Sequence, residues 1–221
     1  DLYLKQESYS DYYVAPDGKT KWNTDYTYSG FSYNEMQLAY QSLRANASTI
    51  TIRKLLGTAP FVIPYHADVI NAMSDDTNGI YSFAYAPHTG EVPRENMLSG
   101  TTYASDELNY RTFVYNNYLQ LPDSTRKVMQ SVIVNYGLDY EDADIIKKVA
   151  DLVSNYVNYD LAATFTNDVA VEFFMGADGA YCQHYATAGT ALFRALGIPA
   201  RYTVGFYKNV RANENTIVSL P

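Results

Sequence analysis

The sequence predicts an α+β fold, in which a β-rich first half is followed by helices and then by a strand. Up to residue 117, short segments of β-branched and aromatic residues alternate with clusters of turn residues. From Leu121 onward, apolar residues recur at helical spacing instead. We therefore divide the chain into a β-rich N-terminal module, residues 1–117, and a second domain, residues 118–221.

Three segments of the first half are predicted strands because they carry alternating or short apolar patterns. They are residues 49–56, 80–85 and 110–115. Turn residues such as Ala15-Pro16-Asp17-Gly18 separate such segments. The chain also holds 23 tyrosines, whose rings combine an apolar body with a polar tip and therefore suit half-buried strands and interfaces.

Four helices and a final strand are predicted in the second domain from apolar spacing and capping residues. The helices are residues 123–134, 145–157, 168–175 and 182–196, and the strand is 200–207. Gly137 and Gly176 are expected to end the first and third helices, and Asn167 to cap the third. The acidic residues of 139–144 favour the N-terminus of the second helix, so they need no metal to explain them.

Composition restricts the function. The net charge of −8, from 24 acidic and 16 basic residues, argues against nucleic acid as a partner. No apolar run approaches the roughly 20 residues of a membrane span, and one cysteine excludes an internal disulfide. The chain begins without methionine, so we expect a piece of a longer protein, in which any membrane anchor would lie outside these residues.

The single cysteine, Cys182, is the candidate nucleophile. It stands in Gly179-Ala180-Tyr181-Cys182, where a turn leads into the fourth predicted helix. Unpaired backbone N–H groups and the positive end of the helix dipole favour a thiolate at such a position. The alternative is that Cys182 is a buried small apolar residue without chemistry.

The three histidines are weak candidates for the base that a cysteine nucleophile needs. His184 is two residues from Cys182, which on a helix places the side chains about 200° apart. His66 and His88 lie near prolines in the β-rich half, which indicates loops. No cofactor or metal is predicted, because the partial calcium-loop spacing that starts at Ser74 has Tyr85 where the twelfth ligand should be an acid.

A resemblance to a known family rests on the residues around Cys182. Gly179-x-x-Cys182-x-x-Tyr185-Ala186, followed by residues 191–202 and by Gly205-Phe206-Tyr207, resembles the cysteine segment of the transglutaminase-like superfamily, especially its bacterial cell-surface members. With weaker similarity upstream, the resemblance covers about residues 118–207. In the first half only Tyr9, Tyr12, Tyr13 and Trp22 resemble an extracytoplasmic segment that precedes such domains.

The resemblance implies a papain-like core of helices followed by an antiparallel sheet, with a Cys-His-Asp arrangement. Cys182 takes the nucleophile position, and its own backbone N–H is one oxyanion donor. In the family the histidine and aspartate follow the strand and a variable loop, which residues 208–221 resemble. Neither partner is then present, and we expect these 221 residues alone to be inactive.

The full-length protein is accordingly expected to be an acyl-transfer enzyme. Cys182 would attack an amide of a peptide or protein substrate, form a thioester, and pass the acyl group to water or to an amine. The resemblance also implies an extracellular or cell-surface location in a bacterium. The alternative function is a non-catalytic extracellular binding or scaffolding module that keeps the fold.

Overall fold

The computed structural model describes residues 2–26, 28–31, 35–36, 39, 48–54, 62–64, 80–85 and 95–208. The strands are β1 (Leu2–Val14), β2 (Thr20–Thr24), β3 (Ser48–Arg53), β4 (Ile63–Pro64), β5 (Ile80–Tyr85), β6 (Asn158–Tyr159), β7 (Gly179–Ala180) and β8 (Tyr202–Lys208). The helices are α1 (Ala104–Asn117), α2 (Asp123–Tyr136), α3 (Ile145–Tyr156), α4 (Val169–Met175) and α5 (Cys182–Ala195). The fold is α+β, as predicted.

The strand β1 organises the largest sheet. Its second half pairs antiparallel with β2, and its first half pairs antiparallel with β8, with Tyr9 opposite Tyr202. The short β4 also pairs with β1, whereas β3 and β5 form a separate antiparallel pair. The first strand of the chain thus joins a strand from beyond residue 200, across the predicted boundary at residue 117. That boundary stays a prediction.

The helix α5 lies at the centre of the core. It contacts α2, α3 and α4, and its residues Ala188, Ala191 and Leu192 are fully buried. The same cluster contains residues of the three neighbouring helices and Tyr12 of β1. The surrounding buried side chains are Met129, Val132, Ile145, Val149, Val153, Ala170, Phe173 and Phe174. Small residues on α5 let these larger side chains approach its backbone closely.

The helical pattern of the second domain is confirmed. The helices α2, α3, α4 and α5 lie within or close to the four predicted ranges, and α2 ends at Gly137 in the left-handed conformation (φ 60°). The helix α3 begins at Ile145, after turns in which the carboxylates of Asp139 and Asp142 accept backbone N–H groups. Among the described residues, no helix combines the length and apolarity that a membrane span requires.

The cap of α4 differs from the prediction. The side chain of Asp168, and not that of Asn167, accepts hydrogen bonds from the backbone N–H groups of Ala170 and Val171. The same carboxylate accepts the hydroxyl groups of Tyr12, at 2.8 Å, and of Thr125. The prediction of Asn167 as the cap is wrong. Tyr12 and Thr125, which lie far away in the sequence, also donate to Asp168, and local spacing cannot show these contacts.

The predicted strand at residues 110–115 is wrong, since these residues lie in α1. The buried carboxylate of Glu107 accepts the backbone N–H groups of Met97 and Leu98, at 2.7 and 2.6 Å. Arg111, one turn later, pairs with the same carboxylate at 3.1 Å. Tertiary hydrogen bonds thus stabilise a helix whose apolar pattern indicates a strand.

The strand predicted at 80–85 is confirmed as β5. Residues 49–53 of the strand predicted at 49–56 lie in β3, and residues 55–56 lie outside the described residues.

Arg194 anchors the C-terminal turn of α5. It is fully buried, donates to the carbonyl oxygens of Ala200 (2.8 Å) and Gln120 (3.0 Å), and lies over the ring of Trp22. Within the described residues its Nη2 has no hydrogen-bond partner. Burial lowers the pKa of Arg194 to about 10, which still leaves the guanidinium charged at pH 7. The charge therefore holds α5 to the segments on both of its sides.

The β1–β8 pairing predicts a steric effect at Gly205. A Cβ atom there would lie 2.0 Å from the carbonyl oxygen of Leu4, so Gly205→Ala forces the strands apart. We expect it to lower the free energy of unfolding by about 2 kcal/mol or more. Gly189 in α5 is the control, because a Cβ there meets nothing within 4 Å and Gly189→Ala should stabilise by about 0.5–1 kcal/mol. Urea denaturation measures both, and equal effects would contradict the strand contact.

The cap of α4 gives a second stability prediction. Asp168→Ala removes the acceptor of two backbone and two side-chain donors, and we expect a loss of about 2 kcal/mol in the free energy of unfolding. Asn167→Ala should change it by less than about 0.5 kcal/mol. Thermal and urea denaturation of both variants decide the assignment, and a larger loss for Asn167→Ala would reverse it.

Candidate active site

Cys182 is the first residue of α5, and its side chain is exposed. The chain reaches it through β7, which pairs in parallel with β6. Gly179 of β7 is required there, because a Cβ atom would lie 2.8 Å from the Cβ of Asp160. The close pairing of β6 with β7 thus fixes the position of the residues that directly precede α5. The exposure of Cys182 does not fit the alternative of a buried apolar residue.

The first turn of α5 offers unpaired backbone donors. The carbonyl oxygen of Tyr181 accepts from the N–H groups of His184 (2.8 Å) and Tyr185 (3.3 Å). Within the described residues, the N–H groups of Cys182 and Gln183 have no acceptor. Such groups at a helix N-terminus stabilise negative charge. An anion that forms next to Cys182 would therefore meet two free donors.

One face of α5, in line with Cys182, is less buried than the opposite face. Ala186 is exposed, and Gly189 and Phe193 are half-buried, whereas Ala188 and Ala191 on the other side are fully buried. Small side chains suit either environment, so the sequence does not distinguish the more buried face from the less buried one.

His184 does not face Cys182. Its side chain is 6% exposed, and its ring lies against the rings of Phe165 and Tyr181, with centroids 3.9 and 4.0 Å away. Its Nδ1 accepts the backbone N–H of Tyr181 at 3.3 Å. Burial lowers the pKa of His184, against a smaller opposing effect of Glu172, so the imidazole is neutral at pH 7. His66 and His88 lie outside the described residues.

A cavity of about 480 Å³ lies beside β7. Its lining includes the carboxylate-bearing residues Asp160, Glu172 and Asp178, and also Gly179, three positions before Cys182. Glu172 already accepts from the backbone N–H groups of Thr166 and Asn167. No group of His, Cys, Asp and Glu side chains among the described residues is arranged to hold a metal ion.

The sequence did not show that β2 contacts the cysteine-bearing helix. The indole Nε1–H of Trp22 donates to the hydroxyl of Thr187 on α5 at 3.1 Å. The same ring stacks on Tyr202 of β8, with centroids 5.2 Å apart, and packs against Tyr12 of β1. The only signal for this was the resemblance that included Tyr12 and Trp22. The N-terminal strands therefore help to hold α5 in place.

Comparison with known proteins identifies the region that carries this site. Residues 126–218 match the model of the family described as the transglutaminase-like superfamily. The "Uncharacterized protein YebA" of Bacillus subtilis (strain 168) is similar, with 31% identity over 110 residues, which is 45% of this chain and 15% of that protein. The match thus spans only a small part of that relative. No solved structure matches. The matched segment contains α3, α4 and α5 with Cys182, so the candidate site lies within the region that is similar to the transglutaminase-like superfamily.

Proposed function

We propose that this chain carries the nucleophile of a cysteine acyl-transfer enzyme. The single observation that supports this most strongly is the exposed thiol of Cys182 at the start of a helix whose first two N–H groups have no acceptor among the described residues. A thiolate is the reactive form of cysteine, and a helix N-terminus favours it. The same N–H groups are donors for the oxyanion that forms on an attacked carbonyl.

The proposed reaction has two stages. In the first, Cys182 Sγ attacks the carbonyl carbon of a peptide or carboxamide, the C–N bond breaks, and the amine leaves with a proton. In the second, water or another amine attacks the thioester, the C–S bond breaks, and the thiol is restored. The resemblance implies a histidine and an aspartate after β8, and in this proposal they move the protons in both stages.

The acceptor and the setting are also part of the proposal. We assign hydrolysis of a peptide or protein as the main activity, because the range of activities in the resembling superfamily favours it. Transfer to an amine is the competing outcome. The substrate is proposed to be a peptide or protein at a bacterial cell surface, where similar members of the superfamily act. Ala186, one turn after Cys182, is exposed, so a substrate can approach the thiol along this side of α5.

The reactivity of Cys182 can be tested without a substrate. At pH 7 we expect Cys182 in the native 221-residue chain to react with iodoacetamide faster than in the unfolded chain, because a helix N-terminus stabilises the reactive thiolate. The chain has one cysteine, so the same protein unfolded in guanidinium chloride is a matched control. Mass spectrometry follows the rates, and equal native and unfolded rates would contradict an activated thiol.

The acyl-enzyme is the second test. The full-length protein, incubated with peptide substrates and quenched in acid, should carry a hydroxylamine-sensitive acyl adduct on the tryptic peptide that contains Cys182. Cys182→Ser should lose the adduct and at least about a thousandfold in kcat, because an alcohol without a matched base is a poor nucleophile. A fluorescent primary amine in the reaction separates transfer from hydrolysis. Turnover that survives Cys182→Ser would reject the proposal, and peptide binding without any adduct would favour the binding module.

A further inference from the structure

We propose that His184 is a positioning residue, whose neutral imidazole fixes the backbone of Tyr181 and thereby the first turn that carries Cys182. The inference rests on the proposed function for the role of Cys182, but it assigns His184 no proton transfer. The proposal gives a role to His184, which is buried close in sequence to Cys182 but packs against Phe165 and Tyr181. His184 acts through the residue immediately before Cys182.

The contacts of His184 with Tyr181 are reciprocal. The backbone N–H of His184 donates to the Tyr181 carbonyl at 2.8 Å, and the backbone N–H of Tyr181 donates to His184 Nδ1 at 3.3 Å. His184 is the third residue of α5, the position at which a Glu or Gln side chain reaches back to the capping residue in many helices. In α5 the neutral imidazole of His184 accepts the backbone N–H of the capping residue in place of that amide or carboxylate.

The surroundings of the ring favour the required tautomer. An Nδ1 that accepts a hydrogen bond leaves the proton on Nε2. The rings of Phe165 and Tyr181 lie against the imidazole and exclude water from it, which disfavours the charged imidazolium. Glu172 of α4 is the carboxylate that acts on His184, and it is already held by Thr166 and Asn167. Burial thus keeps the ring neutral at pH 7, as the hydrogen bond needs.

The bonds between His184 and Tyr181 also affect the direction of the N–H groups of Cys182 and Gln183. Tyr181 lies at the helix boundary in an extended conformation (φ −124°, ψ 177°), and its two bonds to His184 hold that conformation. Without the acceptor at Nδ1, the N–H of Tyr181 has lost its partner and the first turn can fray. The N–H groups of Cys182 and Gln183, which have no acceptor within the described residues, then lose their fixed direction, and a thiolate or oxyanion next to Cys182 is less stabilised.

Two matched variants separate positioning from mere packing. His184→Gln keeps an acceptor at the third helical position, whereas His184→Phe keeps a flat ring and removes the acceptor. For the native 221-residue chain, we expect wild type and His184→Gln to react with iodoacetamide at the same rate at pH 7. For His184→Phe the rate should fall about threefold, the size of a lost helix-terminus effect. Thermal denaturation confirms that each variant is folded.

A spectroscopic measurement on the wild type keeps the proposal testable if His184→Phe does not fold. Nitrogen-15 chemical shifts should show the tautomer with its proton on Nε2, and this tautomer should persist in Cys182→Ala. An Nδ1 proton, or a His184→Phe alkylation rate that equals the wild-type rate, would overturn the positioning role. Because neither readout uses a substrate, a missing acyl-enzyme would reject the proposed function and leave this inference standing.

Discussion

The position of Cys182 depends on the burial of the rest of its helix. Ala188, Ala191 and Leu192 of α5 are fully buried against α2, α3 and α4, and removal of such apolar surface from water dominates the stability of a fold. An isolated helix of this length is only marginally stable in water. Because packing of the later turns holds α5, its first two residues, Cys182 and Gln183, can remain exposed, and their N–H groups have no acceptor within the described part of the chain. The exposed thiol and the buried surface that stabilises the helix are thus located at different places on α5.

The N-terminal strands pack against this helix and bond to it. The strand β1 pairs with β8, Tyr12 enters the core around α5, and Trp22 bonds to Thr187. Arg201 at the start of β8 also pairs with Asp25, just after β2, at 3.1 Å, with both side chains largely buried. These contacts connect residues 2–26 with the region of the family match. Part of the rigidity of the cysteine-bearing helix therefore comes from a segment that the family match does not cover.

Local signals predicted the helices around Cys182 well, because glycine stops and apolar spacing act over a few residues. Gly137 and Gly176 end α2 and α4 as expected. Contacts beyond one helical turn account for the failures: the bonds of Glu107 to Met97 and Leu98 support α1 where a strand was predicted. Tyr12 and Thr125 likewise select Asp168 as a cap over Asn167. Local residues predicted that Cys182 lies at a helix start, but the contacts of Trp22 with Thr187 and of His184 with Phe165 required the fold.

In the proposed function, the first turn of α5 holds both a nucleophile and an oxyanion site. A crystal structure of the protein treated with a peptide aldehyde shows both at once, because the thiol adds to the aldehyde and leaves an oxygen where the oxyanion would lie. We expect a covalent bond from Cys182 Sγ, with that oxygen about 2.7–3.1 Å from the backbone nitrogen of Cys182. An unmodified Cys182, or an adduct whose oxygen points away from the helix N-terminus, would contradict it.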